Sequence, residues 1–292
     1  MEGIITKGIA GFYYVESSNE VFECKAKGIF RKDNITPCVG DIVEFNVPSD
    51  GYACIDKIMP RKNHLIRPPI SNIDTLMIVV SVAKPEPNTV VIDKMIAAAC
   101  ANDIEPVLII SKVDLKSPDK LLEIYSLAGI KTITVSTVTK EGIQQIKSLL
   151  KDKISAFSGN SGVGKSTLLN LIDENFSMET GDISKKLKRG KHTTRHVELF
   201  KLPSGGYIAD TPGFSSIDFG RFNILKKDKL SLCFKEFIPF IGKCKFSSCT
   251  HSSEPGCAVL QAIKTGKIHK SRYNSYLHIY NELKAIKDWE SN

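Results

Sequence analysis

The chain lacks any apolar run long enough to cross a bilayer, and its opening residues, Met1-Glu-Gly-Ile-Ile-Thr-Lys-Gly8, carry no basic segment leading into an apolar one. These absences argue against a membrane-spanning or secreted protein and predict a soluble, cytoplasmic chain with no membrane partner. Also missing is the composition of a disordered chain. With 42% hydrophobic content over 292 residues, there is enough to bury cores and to build two or three domains. Cysteine is not scarce, at eight residues, but spacing is: Cys24, Cys38, Cys54, Cys100 and Cys233 are scattered and read as reduced, buried thiols rather than as a disulfide frame. Charge is unbalanced, with a net charge of +8 and a pI near 8.9, and that suits a polyanionic partner.

No helical period of useful length appears in residues 1–68. Gly3–Gly11, Tyr13–Glu16, Val21–Lys27, Asp41–Val47 and Ala53–Ile58 are β-rich and broken by Gly, Asn, Asp and Pro. A five-stranded all-β barrel of the OB type fits that spacing. The phrase Val39-Gly-Asp-Ile-Val-Glu-Phe45 is similar to a strand entry of OB-type RNA-binding modules, which makes the barrel a candidate RNA-binding domain; a barrel with no ligand is the plainer reading. Pro68-Pro69 marks a boundary. Residues 69–218 then alternate buried strands (Leu76–Val82, Val107–Ile110, Lys131–Val135, Ile154–Phe157, Tyr207–Ala209) with helices (Asp93–Asn102, Pro118–Leu127, Glu141–Lys151, Lys165–Leu171), and His196–Leu202 is a further strand. This is the pattern of a doubly wound α/β domain, with its ligand at the C-terminal ends of the strands. Residues 219–292 break that pattern with short helical pieces, a Cys/His cluster and a basic amphipathic tail.

Three motifs in the α/β region point to a guanine nucleotide. Gly159-Asn160-Ser161-Gly162-Val163-Gly164-Lys165-Ser166-Thr167 follows a strand and opens a helix, as a phosphate-binding loop must. Its glycines let backbone N–H groups face phosphates, and the helix N-terminus adds positive dipole. Lys165 would bridge the β- and γ-phosphates and Ser166 would bind magnesium. Asp210-Thr-Pro-Gly213 ends a β-run downstream of that loop; Asp210 would hold magnesium through water and the Gly213 N–H would sense the γ-phosphate. Between them, Gly190-Lys191-His192-Thr193-Thr194-Arg195 offers a threonine to complete the magnesium shell, Thr194 in preference with Thr193 open. Ser111-Lys112-Val113-Asp114 closes an apolar strand. The Asp114 carboxylate would accept from guanine N1–H and the 2-amino group, donors that adenine lacks there, with Lys112 along the base plane. Ser136 sits where a backbone N–H would meet guanine O6. Base reader first, phosphate loop second and magnesium motif last is a circularly permuted order, and it leads the Asp210–Gly213 segment straight into the C-terminal region.

Cys244, Cys249, His251 and Cys257 are spaced as a closed tetrahedral zinc site, structural because no coordination position stays open. The surrounding segment reads as having little core, so a metal would supply much of its folding energy. Lys264, Lys267, His269, Lys270 and Arg272, beside Tyr273, Tyr276 and Tyr280, read either as an RNA surface or as a solvated face over a packed aromatic stripe. Lys185–Arg195 is a second basic run, an RNA contact or a plain loop.

Taken together, the barrel-like start, the permuted phosphate-loop domain and Cys244-x4-Cys249-x-His251-x5-Cys257 resemble the RsgA family of circularly permuted GTPases of small ribosomal subunit biogenesis. The likeness runs over almost the whole chain, with Gly159–Thr167, Gly190–Thr194, Asp210–Phe214 and Glu254-Pro-Gly-Cys-Ala258 matching closely. It implies a GTP hydrolase using GTP/GDP, magnesium and one structural zinc, docking in the GTP state on the small (30S) ribosomal subunit and its rRNA late in assembly, stimulated by it and released with GDP. Nothing requires more than a monomer. Two departures stand out. Ser111 replaces the usual Asn, so weaker guanine binding with retained preference is expected. Arg195 stands where a third threonine is usual. Phe214 occupies the place of the water-orienting Gln of many GTPases and cannot hydrogen-bond water, so intrinsic turnover should be slow; His192 either positions the water or is an ordinary loop residue. The alternatives are a nucleotide-holding RNA scaffold with negligible hydrolysis and a permuted GTPase of the large subunit.

Overall fold

The computed structural model describes residues 1–28, 30, 35–49, 52–66, 68–174, 197–210 and 225–285. Five strands open it: β1 (Glu2–Ile9), β2 (Phe12–Ser17), β3 (Glu20–Ala26), β4 (Ile42–Asn46) and β5 (Ala53–Ile58). Alternation sends one face of each inward, where Ile5, Val15, Cys24, Val43, Phe45 and Ile55 are fully or almost fully buried. Pairings β1–β2, β2–β3, β3–β5, β5–β4 and β4–β1 close the ring, all antiparallel except β3–β5. Closure removes the edges an open sheet of this size would expose.

A short hairpin of β6 (His64–Ile66) and β7 (Pro69–Ser71) follows. The Pro68-Pro69 boundary therefore lies inside a two-stranded element, where a ladder this short tolerates a proline. The α/β domain comprises β8 (Thr75–Ser81), α1 (Thr89–Ala101), β9 (Glu105–Ser111), α2 (Asp119–Leu127), β10 (Lys131–Val135), α3 (Ile143–Leu150), β11 (Ile154–Ser158), α4 (Lys165–Ile172), β12 (Glu198–Lys201) and β13 (Tyr207–Asp210). Its strand order is β10-β9-β8-β11-β13-β12, parallel except for the β12–β13 pair. Every residue of β8 and β11 is buried, as central parallel strands covered on both faces must be. Helix α1 starts at Thr89, four residues before the sequence pattern suggests. Asn88 caps it by accepting from the Val90 and Val91 N–H groups, and that bond overrides the weak helix preference of Thr89-Val-Val.

Strand β12 would be an exposed edge, but β1 of the barrel pairs with it at Lys7–Glu198, joining barrel and α/β sheet into one 11-stranded sheet. A buried carboxylate fixes the other side of the joint. Asp41 accepts from Arg61 Nε (2.7 Å) and Nη2 (2.8 Å), the Ser71 hydroxyl (2.6 Å) and the Cys38 N–H (2.9 Å).

The C-terminal part contains two 3-10 helices (Lys227–Cys233, Lys235–Phe240), α5 (Ala258–Lys264) and α6 (Lys270–Ala285). Against the expectation of little core, Phe234, Phe237, Val259, Tyr276 and Ile279 are buried and continuous with Ala97 and Ala98 of α1. Aromatic rings do most of the filling: Phe237 and Tyr276 lie 4.9 Å apart and Phe234 meets Tyr276 edge-on at 5.3 Å.

Candidate nucleotide site and metal knuckle

The sheet order places β8 between β9, which ends in the Ser111–Asp114 tetrad, and β11, which enters the phosphate loop. The base-reading and phosphate-reading motifs thus rise side by side from the same C-terminal edge. Gly159 leaves β11 so close to β8 that a Cβ would lie 2.4 Å from the Val79 carbonyl oxygen, which no side chain could survive. Gly164, at φ +94°, turns the loop into α4 in a conformation that favours glycine. Asn160 and Ser161 are exposed at the loop's crest, while Lys165, Ser166 and Thr167 are half-buried on the first turn of α4, and the Lys165 ammonium donates to Gly159 O (3.2 Å).

Lys112 ties the loop to its surroundings. Its ammonium donates to Gly162 O at 2.7 Å and to Lys84 O at 2.5 Å, bridging the phosphate loop and the segment that leads into α1. Ser111 reaches further than its length suggests. Its hydroxyl donates to Val163 O at 2.6 Å and lies 3.0 Å from Val80 O, so it fastens β9 to the phosphate loop across β8. A hydroxyl committed to the loop does not serve the base edge. Asp114 stands exposed just past the strand.

Ser136 plays a different part from the one its position suggested. Its N–H donates to Glu141 O (3.3 Å), and its buried hydroxyl accepts from the Val138 and Thr139 N–H groups (3.2 and 3.1 Å). Ser136 builds the turn, and Thr137 is left with a backbone N–H that has no partner among the described residues. The signal was in the sequence: a serine followed by Thr137-Val-Thr139 is the pattern of a hydroxyl-capped turn. Asp210 ends β13, opposite Glu198. His192, Thr193, Thr194, Arg195, Gly213 and Phe214 lie outside the described residues, as does the rest of the 185–195 basic run.

The Cys/His cluster does assemble. The ligand atoms of Cys244, Cys249, His251 and Cys257 lie within 4.8 Å of one another. His251 Nδ1 is 3.5, 3.6 and 3.5 Å from the sulfurs of Cys244, Cys249 and Cys257. Zinc's bond lengths in a tetrahedron would set S···N at about 3.6 Å, so the donor set fits that ion. The sulfur of Cys244 also accepts from the Ala258 N–H (3.3 Å). Burial pushes the Cys249 thiol up to about 12 and raises Cys257, while for Cys244 the Ala258 N–H and neighbouring thiols outweigh burial and pull it down. Three such thiols ionise together only around a cation.

The knuckle is braced from both sides. Glu254 accepts from Thr250 N–H (2.7 Å), Thr250 Oγ1 (2.6 Å), Ser252 N–H (2.9 Å) and Ser253 N–H (3.0 Å). Burial raises its carboxyl, but these donors overcome that and hold it at about 2. From α6, the Tyr273 hydroxyl donates to Ser252 O and the Tyr276 hydroxyl to Thr250 O, each at 2.7 Å. The tyrosines are thus the packed stripe, not an RNA surface.

Arg272 likewise leaves the basic face expected of it. It is 1% exposed, with Nη1 on Asp93 Oδ1 of α1 (2.6 Å) and Nε and Nη2 on Glu236 (2.7 and 3.2 Å). Tyr125 of α2 adds its hydroxyl to Asp93 at 3.0 Å. Even beside the guanidinium, burial keeps the Asp93 carboxyl above its usual range.

A base-reading tetrad ahead of a phosphate loop on a doubly wound sheet, flanked by a closed barrel and a Cys3His knuckle, defines a circularly permuted GTPase. The particular family follows from comparison with known proteins. A family profile described as RsgA GTPase matches residues 58–220 and one described as RsgA N-terminal domain matches residues 2–55. A protein of Caldanaerobacter subterraneus named "Small ribosomal subunit biogenesis GTPase RsgA" is 48% identical over 97% of this chain and 96% of its own length. One of the same name from Ruminiclostridium cellulolyticum is 43% identical, covering 99% and 95%. Among solved structures, YjeQ from Thermotoga maritima superposes with a TM-score of 0.83 at 34% identity over 98% of this chain and 99% of that one. YloQ, titled a circularly permuted GTPase, gives 0.80 at 35% identity over 98% and 96%. The chain belongs to the RsgA GTPase family, and it is a GTP hydrolase.

Proposed function

We propose that the chain binds the small ribosomal subunit and assists its late assembly, hydrolysing GTP with the subunit as stimulator. The observation that carries this is the pre-tied cradle: Ser111 and Lys112 of the base reader both bond the phosphate loop, at Val163 O and Gly162 O, so base and phosphate recognition are set by one rigid piece. Such pre-organisation spares reorganisation when charge develops on the phosphates. The names of the RsgA relatives supply the subunit.

Asp114 selects guanine, and the Thr137 N–H, rather than that of Ser136, takes its O6. The N–H groups of Gly159–Thr167 and the Lys165 ammonium hold the phosphates and take up charge as the γ-phosphate leaves. Ser166 and Asp210, with Thr194 or Thr193, would hold magnesium, which when bound neutralises β- and γ-phosphate charge. His192 positions the attacking water, because Phe214 cannot. Cys244, Cys249, His251 and Cys257 hold a structural zinc. The three parts act as barrel (1–68), permuted GTPase domain (69–218) and zinc-binding domain (219–292). The protein works as a monomer in the cytoplasm; no helix of the described residues is long and apolar enough to cross a membrane.

The test is GTP hydrolysis by the full chain alone, with purified small subunits, and with large subunits as control. Stimulation by small subunits alone supports the reading. Tight nucleotide binding with no stimulation favours a non-hydrolysing scaffold. His192→Ala should collapse turnover and leave nucleotide affinity intact; equal loss of both would give His192 a structural role.

A further inference from the structure

Among its described residues the barrel offers little unpaired positive charge. Residues 1–66 hold eight basic residues against nine acidic, whereas residues 225–285 hold eleven against four. Of the barrel's six described basic residues, five are paired with carboxylates: Lys7 with Glu198, Lys27 with Asp56, Lys57 with Glu44, Arg61 with Asp41 and Lys62 with Asp74. Lys25 is the exception. Among the described residues its ammonium meets no carboxylate and instead lies over two aromatic rings, 4.1 Å from the Tyr52 centroid and 5.1 Å from that of Phe12. The rings meet edge-on, with centroids 5.4 Å apart.

Strand pairing makes this group. Phe12 opposes Lys25 across β2–β3, and Tyr52 immediately precedes β5, whose Cys54 opposes Lys25 on the other side. Tyr52 is 54% exposed, unusual for a ring with no partner in a core, and Lys25 is exposed beside it. A pair of rings carrying one unneutralised cation, on a surface whose other described basic residues are all paired, has the chemistry of single-strand recognition: a π-face for a base and an ammonium for the phosphate next to it.

We propose that Phe12, Tyr52 and Lys25 form a stacking platform for one unpaired RNA base, with the Lys25 ammonium swinging from the rings to the adjoining phosphate. The inference rests on the reading that this chain engages ribosomal RNA. It assigns the barrel recognition by stacking and leaves salt-dependent attraction to the lysine-rich C-terminal part, since base–aromatic stacking requires no net charge.

The experiment uses the full chain and a ten-nucleotide oligoadenylate with a central 2-aminopurine, followed by anisotropy and by quenching of the base. Tyr52→Leu should weaken binding by about 5- to 150-fold, the range expected for one stacked base, abolish the quenching and leave the salt slope unchanged. Lys25→Gln should reduce the slope of log Kd against log salt by about 0.7, as for one phosphate contact on a single strand. Phe12→Leu should behave as Tyr52→Leu does, and unchanged basal GTP hydrolysis in each variant would show that the fold is intact. Wild-type affinity and quenching in both ring variants, or no oligoadenylate binding by the wild type, overturns the platform. So does normal oligoadenylate binding with lost subunit binding, which would make the rings a protein contact. Failure of the wild type to bind small subunits would instead remove the ribosomal reading, and the oligoadenylate result would still decide the platform.

Discussion

The barrel and the C-terminal domain flank the same GTPase sheet, yet they are attached by different physics. The barrel is joined through backbone: β1 continues the sheet at β12, and the buried Asp41 gathers donors from Arg61, Ser71 and Cys38 around the joint. The C-terminal domain is joined through side chains: α6 packs on α1, and Arg272 reaches Asp93 across the interface while Glu236 grips it from its own domain. Backbone ladders fix register and move as one piece with their strand, whereas packed helices shift by small steps between arrangements. The barrel should therefore follow β12 and β13, and the C-terminal domain should follow α1. That helix is reached from the phosphate loop by way of Lys112 and the Lys84 carbonyl, a route separate from the chain connection after Asp210.

The largest effect should come from metal removal, because structural zinc supplies on the order of 10 kcal/mol in small knuckles. Chelation should release the amides of 244–257 to hydrogen exchange. Although Cys257 belongs to this core and Cys244 and Cys249 pack against it, Phe234, Phe237, Tyr276 and Ile279 fill most of it together with Ala97 and Ala98 of α1, so α6 and α1 should stay protected and GTP affinity should hold. Unprotected α6 amides after chelation would mean that the metal, not the aromatic core, holds this domain. Next is Arg272→Ala. It strands two buried carboxylates and should cost about 3–5 kcal/mol, seen as a lower urea midpoint. Arg272→Lys should recover little, since one ammonium cannot give Glu236 a two-pronged bond and also reach Asp93. The site is finely balanced even intact: among the described residues, Asp93 Oδ2 and Ser275 Oγ are buried without a well-formed hydrogen bond.

How much of this the sequence shows depends on whether a feature is local. The phosphate loop, the tetrad and the metal cluster are short motifs whose residues carry their own geometry, and the continuous apolar runs of β8 and β9 announced buried parallel strands. Arg272 was misread because it was grouped with Lys264, Lys267 and Lys270 by neighbourhood. Helical spacing tells otherwise: Arg272, Tyr276, Ile279 and Leu283 fall on one buried stripe of α6. The β1–β12 pairing left no trace, because an edge match between strands about 190 residues apart is decided by shape and closure, not by periodicity. The Ser111 bond was hidden for the same reason, since its partner Val163 O is a backbone atom that only the fold brings near, whereas the local turn of Ser136 could have been read from Ser136-Thr-Val-Thr139.

On the barrel side, Asp41→Ala should cost less than the loss of Arg272. The carboxylate is fully buried, but Arg61 keeps 20% of its side chain in water and can rehydrate when its partner goes. A loss of about 2 kcal/mol is expected, below the range for a fully buried pair. Limited proteolysis between barrel and GTPase domain should rise accordingly. Stability equal to wild type would show that the ladder alone holds the barrel.

The smallest effect is the most telling for the comparison. Lys7 and Glu198 pair at 3.0 Å across the β1–β12 joint, but their side chains are 34% and 37% exposed, so solvent screens them. Glu198→Gln should cost under about 1 kcal/mol, and less at high salt. If backbone pairing is the true attachment, exchange protection of the barrel strands should be unchanged in this variant, while Arg272→Ala loosens the other side. A barrel that detaches on loss of one half-exposed charge would overturn the distinction, since both flanking domains would then be held by side chains.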